Sequence, residues 1–327
     1  MSSMLLRVGT DCSGTDAPLY ALAQTRVAKK KKVQIIHQWS CDKCPASRRF
    51  IELNHNPAQF YPDMIGRKHK CLEPIDLYFN GFPCQPFSSL GLKKGMQDIR
   101  MGVYKAMIKT IKAKMPKAIV LENVVRMLGD NNGKTWKKIR SDLCKCGYNI
   151  NWRIYDAQHF GVPQVRRRIY VVGFRADMGW PELPDEPKKE CPYISDFLDD
   201  DMGSTEDKPA PWTSSGQSLK RLQSELKAAG VDPNKQCWVL DIDASKSFGS
   251  MQCELSPTLT RTRASGFWLT SKRRRMTASE QFKLQGFPIA SIVPVESRRQ
   301  MGQLAGNAMC VPVVTHLLNK VLPQMGF

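Results

Sequence analysis

Short apolar runs alternate with helical patterns through the first half of the chain, and most runs end in a turn of small or acidic residues. Residues 5–8, 33–39, 75–79, 118–121 and 169–174 read as strands. Residues 16–28, 45–54, 102–115 and 135–146 read as helices. In 102–115 the apolar Val103, Met107, Ile108, Ile111 and Met115 recur at helical spacing and stop at Pro116. Pro45 opens one helix and Gly147 closes another. Such alternation predicts βαβ units and hence an α/β fold, a doubly wound, mostly parallel sheet.

The rhythm breaks near Ala176. From Trp180 to Trp212 the chain is rich in proline and acid, and beyond it the βαβ pattern does not resume. A length of 327 residues suggests about two domains, at ~150 residues each. We expect a catalytic, ligand-binding domain over 1–178, a smaller irregular domain over 179–298, and a C-terminal segment, 299–327, returning to the first.

Charge is the unusual feature of the composition. Lys and Arg number 49 against 30 Asp and Glu, a net charge of +19. A surplus of that size favours a polyanionic partner, most simply nucleic acid. No apolar run approaches the ~18–20 residues of a spanning helix, so no membrane partner is expected. The N-terminus passes straight into a strand without the features of a signal peptide. The eleven cysteines, odd in number and scattered, read as reduced thiols. An intracellular protein is therefore expected, cytoplasmic in a prokaryotic or viral setting and nuclear in a eukaryotic one. Cys41 with Cys44 and Cys144 with Cys146 lack a second pair at zinc-site spacing, so no metal is expected. The basic run 29–32 reads as an exposed loop before a nuclear signal.

Several turns carry chemistry. The first strand ends in Gly9-Thr10-Asp11-Cys12-Ser13-Gly14-Thr15-Asp16, a small-residue turn that lets a nucleotide-like ligand approach the backbone. Asp42 follows the second strand, where such sheets hold ribose hydroxyls, and Asp63 follows the next helix. Singly, each acid reads equally well as a solvated loop carboxylate; the ordered set favours a ligand. Asn80-Gly81-Phe82-Pro83-Cys84-Gln85-Pro86-Phe87-Ser88 follows a buried strand and holds a cysteine on a stiff backbone, suited to a nucleophile. Glu122-Asn123-Val124 ends the next parallel strand and so brings a carboxyl to the same sheet edge. In Gln164-Val165-Arg166-Arg167-Arg168, strand alternation puts Gln164, Arg166 and Arg168 on one side, with forked donors for phosphates or base carbonyls.

Taken in order, these segments resemble the cytosine-C5 methyltransferases that use S-adenosylmethionine. Gly81 to Ser88 matches the nucleophile loop, Glu122-Asn123-Val124 the acid motif, Gln164 to Arg168 the Gln-x-Arg-x-Arg motif, and Gly306-Asn307-Ala308-Met309 the last motif. The resemblance implies a Rossmann-like methyltransferase fold with a target-recognition domain, duplex DNA as partner, a monomer, and S-adenosyl-L-methionine as cofactor. It implies that Cys84 attacks C6 of a flipped cytosine, Glu122 protonates N3, and Arg168, helped by Arg166, holds the base carbonyl. It implies cofactor contacts from Asp11, Ser13, Gly14, Thr15, Asp42, Asp63, Pro83, Val103 and Asn307. DNA contacts are expected from Ser88, Arg100, Gln164, Arg261, Arg263, Arg273 and Arg274, and a lid from 88–102. The family usually has Phe-x-Gly-x-Gly in the first motif; here the aromatic is missing, Asp16 stands in place of a glycine, and Lys43 stands where an apolar residue often stacks on adenine. A tRNA cytosine methyltransferase and a regulatory DNA-binding relative are the competing readings. A dinucleotide-dependent oxidoreductase leaves Pro83-Cys84-Gln85-Pro86 unexplained.

Overall fold

The computed structural model describes residues 4–30, 33–83, 99–202, 208–233, 235–245, 250–295 and 297–327, the side chains of 99 and 100 excepted. Cys84 and Ser88, the expected lid up to residue 98, and the Arg100 side chain lie outside the described residues.

In the first half the elements run β1 (Met4–Asp11), α1 (Ala17–Ala23), α2 (Arg26–Lys29), β2 (Val33–Cys41), α3 (Pro45–Asn54), β3 (Gln59–Tyr61), β4 (Leu77–Asn80), α4 (Ile99–Lys114), β5 (Ala118–Val124), α5 (Lys134–Lys145), β6 (Tyr148–Asp156) and β7 (Arg167–Arg175). They build a seven-stranded sheet in the order β3-β2-β1-β4-β5-β7-β6. β1 pairs in parallel with β2 and β4, β2 with β3, and β4 with β5; β7 pairs antiparallel with β5. The mostly parallel α/β fold is therefore as expected. All four residues of β4 are buried, as befits a strand covered on both faces. The expected helix over 16–28 is instead two helices. Thr25 breaks it, because its hydroxyl accepts from Ala28 N and caps a new start. β3 and β6 were not anticipated. One has three residues, and β6 interleaves Asn149, Asn151 and Arg153 with its apolar positions, as an edge strand does.

The chain divides into two compact units: Met1–Tyr155 with Arg167–Glu186 and Met309–Phe327, and Asp156–Arg166 with Pro187–Ala308. The divisions fall at 186/187 and 308/309, later than the 178/179 and 298/299 read from the sequence, and 156–166 go with the second unit. That unit holds α6 (Ser214–Ala228), β8 (Trp238–Leu240), β9 (Met251–Cys253), β10 (Trp268–Leu269), β11 (Arg274–Arg275), α7 (Ala278–Lys283) and α8 (Arg298–Asn307). Its sheet has the order β11-β10-β8-β9, with antiparallel pairings. A side chain at Gly302 or Gly306 of α8 would run into the backbone of Ala264 or Thr260, which fixes α8 against the Arg261–Arg263 turn of this unit. α9 (Val311–Gln324) packs on α1 in the first unit. No helix among the described residues is long and apolar enough to cross a membrane.

Candidate active site

Because β1, β2, β4 and β5 are parallel, Asp11, Cys41, Asn80 and Glu122 come to one edge of the sheet, the edge at which such folds bind ligands. The turn after β1 is stitched to the end of β2. Ser13 N donates to Cys41 O at 3.1 Å, and Ser13 Oγ accepts from Cys41 N at 2.8 Å. Gly14 N donates to Asp42 Oδ2 and Cys44 N to Asp42 Oδ1, each at 2.8 Å. Cys12, Gly14 and Asp16 all have left-handed backbone, with φ of 52°, 58° and 50°. The glycine replaced by Asp16 is thus a position where glycine is easy and aspartate is one of the few tolerated alternatives. Asp16 is fully buried and accepts from Thr10 Oγ1 at 2.6 Å and Ser40 Oγ at 2.5 Å, contacts that a glycine could not make.

Asp11 forms the floor of this turn. Its buried carboxylate accepts a two-pronged contact from Arg67, a hydrogen bond from Tyr78 Oη at 2.6 Å and one from Trp39 Nε1 at 3.3 Å. A carboxylate has about four lone-pair sites, so the side chain has none left for a ligand. Asp11, expected on the cofactor, therefore organises the turn. Burial, and then the Asp11 charge, push the Tyr78 phenol well above its ordinary range, so it remains a donor. Arg67 lies over the rings of Trp39 and Tyr61, 5.9 and 5.4 Å from their centroids. Sequence reasoning missed Arg67, because Gly66-Arg67-Lys68-His69-Lys70 looks like a solvated basic loop until Asp11 is placed beneath it. Removing one partner of a buried ion pair leaves an uncompensated charge. Arg67→Met is accordingly expected to destabilise the first unit by about 3 kcal/mol, read as a lower urea midpoint with the slope unchanged.

The remaining cofactor candidates differ in exposure. Asp63 accepts from Ile65 N at 2.8 Å and stands 3.5 Å from Lys43 Nζ, so the lysine in the expected stacking position pairs with the expected adenine acceptor. Thr15 Oγ1 is buried and has no hydrogen-bond partner among the described residues, while the space beside Gly14 is open. Pro83 is exposed, Val103 packs against the core from α4, and Asn307 is the exposed last residue of α8 in the second unit.

Glu122 and Arg168 come together from neighbouring strands. Arg168 pairs across from Val124 at the start of β7, and its Nε lies 3.2 Å from Glu122 Oε1. This is an ion pair without hydrogen-bond geometry: Oε1 is buried and has no hydrogen-bond partner among the described residues. Gly81 sits between this carboxylate and the first turn. A Cβ there would lie 4.0 Å from both Cys12 O and Glu122 Oε2. Asn123 Nδ2 donates to Phe82 O at 2.9 Å and fixes the last residues before Cys84.

Gln164 and Arg166 do not join them. Gln164, expected on DNA, is fully buried, donates to Leu284 O and accepts from Leu259 N. Arg166, expected beside Arg168, is 4% exposed and donates to Leu259 O at 2.8 Å and Ala308 O at 2.7 Å. Both lock the backbone of the second unit. The strand begins only at Arg167, so alternation does not extend back to Gln164. Arg274, expected on phosphate, is buried between Glu280 and Asp201, and Arg263 is bound to Asp241. Arg261 and Arg273 are exposed.

A family model described as C-5 cytosine-specific DNA methylase matches residues 29–322. The type II methyltransferase M.NgoBI of Neisseria gonorrhoeae is 30% identical over 271 residues, 82% of this chain and 80% of that protein. The type II methyltransferase M.HaeII of Haemophilus aegyptius is 32% identical over 250 residues, 76% of this chain and 74% of that protein. Among solved structures, the S. pombe Dnmt2 methyltransferase matches with a TM-score of 0.68 and 21% identity, over 98% of this chain and 100% of that one, a likeness of fold.

Proposed function

This chain belongs to the C-5 cytosine-specific DNA methylase family, and we propose that it methylates C5 of cytosine in duplex DNA, with S-adenosylmethionine as donor and Cys84 as nucleophile. The observation that carries this reading is the juxtaposition at one sheet edge of the Cys12–Asp16 turn, the Gly81-Phe82-Pro83 approach to Cys84, and the Glu122–Arg168 pair.

The first turn suits the donor. Asp42 offers a fixed carboxylate, Asp63 a half-exposed one, Thr15 an unused hydroxyl, and Gly14 an opening that a side chain would close. When bound there, S-adenosylmethionine supplies an electrophilic methyl group. The protein's own work is to make C5 a nucleophile. The target base leaves the stack, at a cost of a few kcal/mol. The Cys84 thiolate forms a bond to C6 while N3 takes a proton from Glu122. The electron pair released to C5 makes that carbon nucleophilic. Once C5 carries the new methyl group, its proton passes to a water molecule, the electron pair of the broken C–H bond re-forms the C5–C6 double bond and expels the Cys84 thiolate, and the N3 proton returns to Glu122. Arg168 holds Glu122 in place and offers its remaining donors to the base carbonyl.

The test is transfer of label from S-adenosylmethionine to duplex DNA and, in parallel, to tRNA, with the modified positions mapped. Label at C5 of cytosine in DNA is the expected result. Label in tRNA alone moves the protein to an RNA substrate with the same catalytic residues.

A further inference from the structure

The first turn closes on a buried acid that the proposed reaction does not use. Asp16 is fully buried, with Oδ1 accepting from Thr10 Oγ1 at 2.6 Å and Oδ2 from Ser40 Oγ at 2.5 Å. Since the Ser40 proton goes to Asp16, Ser40 Oγ accepts from His37 Nε2 at 2.9 Å. Among the described residues, the one side chain paired with Asp16 that could offset its charge is His37, whose Nε2 lies 3.6 Å from Oδ2. Burial holds His37 below the ordinary imidazole range, against the pull of Asp16, so at neutral pH it is an uncharged donor. The Tyr20 phenol, on α1, is pushed up to about 12 by burial and then by the Asp16 charge, so it is uncharged too.

Other acids of this edge are offset. Asp11 is neutralised by Arg67, and Asp63 stands beside Lys43. Asp16 therefore leaves a negative charge beneath the turn, where dissolved salt screens it little. Gly14, where the turn is open, is two residues from Asp16. Two residues span ~7 Å at full extension, so a ligand seated in that opening lies within about 10 Å of the carboxylate. At that range, and an effective dielectric constant of about 20, a unit charge changes affinity by on the order of tenfold.

The proposed donor and its spent form differ at one atom. The sulfur is a positively charged sulfonium before transfer and a neutral thioether after it. We propose that Asp16 sets the preference of the cofactor pocket for the sulfonium form over the demethylated thioether. This rests on S-adenosylmethionine being the donor and goes beyond it, to the pocket's choice between the two forms. A glycine at this position would supply no such charge. The consequence is exchange: fresh donor displaces the spent form more readily after each turnover.

Calorimetric titration of S-adenosylmethionine and S-adenosylhomocysteine into the full chain, without DNA and at about pH 7.5, tests it. Asp16→Asn removes the charge and keeps the shape. Asparagine tolerates the left-handed backbone, and the hydroxyl that meets its amide can turn to accept. Asp16→Gly removes the whole side chain and fits the same backbone. In both variants the Kd of the thioether divided by that of the sulfonium is expected to fall about tenfold. The fall comes from weaker binding of the sulfonium, with the thioether held within about twofold. An analogue with a protonated amine in place of the sulfonium should weaken in step with the sulfonium form, which assigns the effect to charge and not to the methyl group. An analogue that follows the thioether instead overturns the proposal. So does a ratio within twofold of wild type in either variant. Equal loss of both ligands, up to no binding in either variant, makes Asp16 a scaffold residue and overturns it as well. Wild-type protein that binds neither form overturns the reading of the donor, and this inference with it.

Discussion

Cys84→Ala is expected to lower methyl transfer by at least ~10⁴-fold while leaving duplex affinity within about twofold. C5 of cytosine is a poor nucleophile until C6 has been attacked, and no other step substitutes for that addition. Phosphate contacts supply most of the binding affinity and do not involve the thiol. The cleanest readout is a duplex with 5-fluorocytosine at the target, where the C5 substituent cannot leave as a proton. The wild-type protein should form an adduct that survives SDS, and the variant none. Methylation by the variant at more than a few percent of the wild-type rate rules out Cys84 as the nucleophile.

Glu122→Gln is expected to cost about 10³-fold in single-turnover rate, within the ~10²–10⁴ of a positioned general acid. The substitution is nearly isosteric. It keeps a carbonyl that can accept from the cytosine amino group, and it removes both the proton for N3 and the charge that pairs with Arg168. Glu122 and Arg168 are 12% and 14% exposed, so the loss of the ion pair is cushioned by little water. Cofactor affinity should nevertheless hold, since the first turn is organised by Asp11, Asp16 and Asp42. The adduct with 5-fluorocytosine should form slowly and still form. A rate within tenfold of wild type argues that the N3 proton comes from elsewhere.

The sheet and its catalytic edge were legible because buried parallel strands are continuous apolar runs and each ends in a recognisable turn. Glu122 could be placed beside the nucleophile segment from strand order alone. What was illegible depends on partners far away in sequence. Arg67 is a loop arginine until Asp11 lies under it. Arg263 and Arg274 look no different from Arg261 and Arg273, yet folding brings Asp241 to one, Glu280 and Asp201 to another, and leaves the last two exposed. Gln164 and Arg166 share strand parity with Arg168, but only Arg168 lies within the strand.

The Gln164-to-Arg168 motif straddles a boundary: its first residues hold the carbonyls of Leu259, Leu284 and Ala308, while Arg168 faces Glu122. This bears on how the second unit could be exchanged between relatives. A graft of 187–308 alone would set the host's Gln164 and Arg166 against foreign main chain, and a mismatch of an ångström there would orphan a buried guanidinium. The exchangeable cassette is two pieces, 156–166 and 187–308, and chimeras cut at those four points should stay soluble where single-segment swaps aggregate.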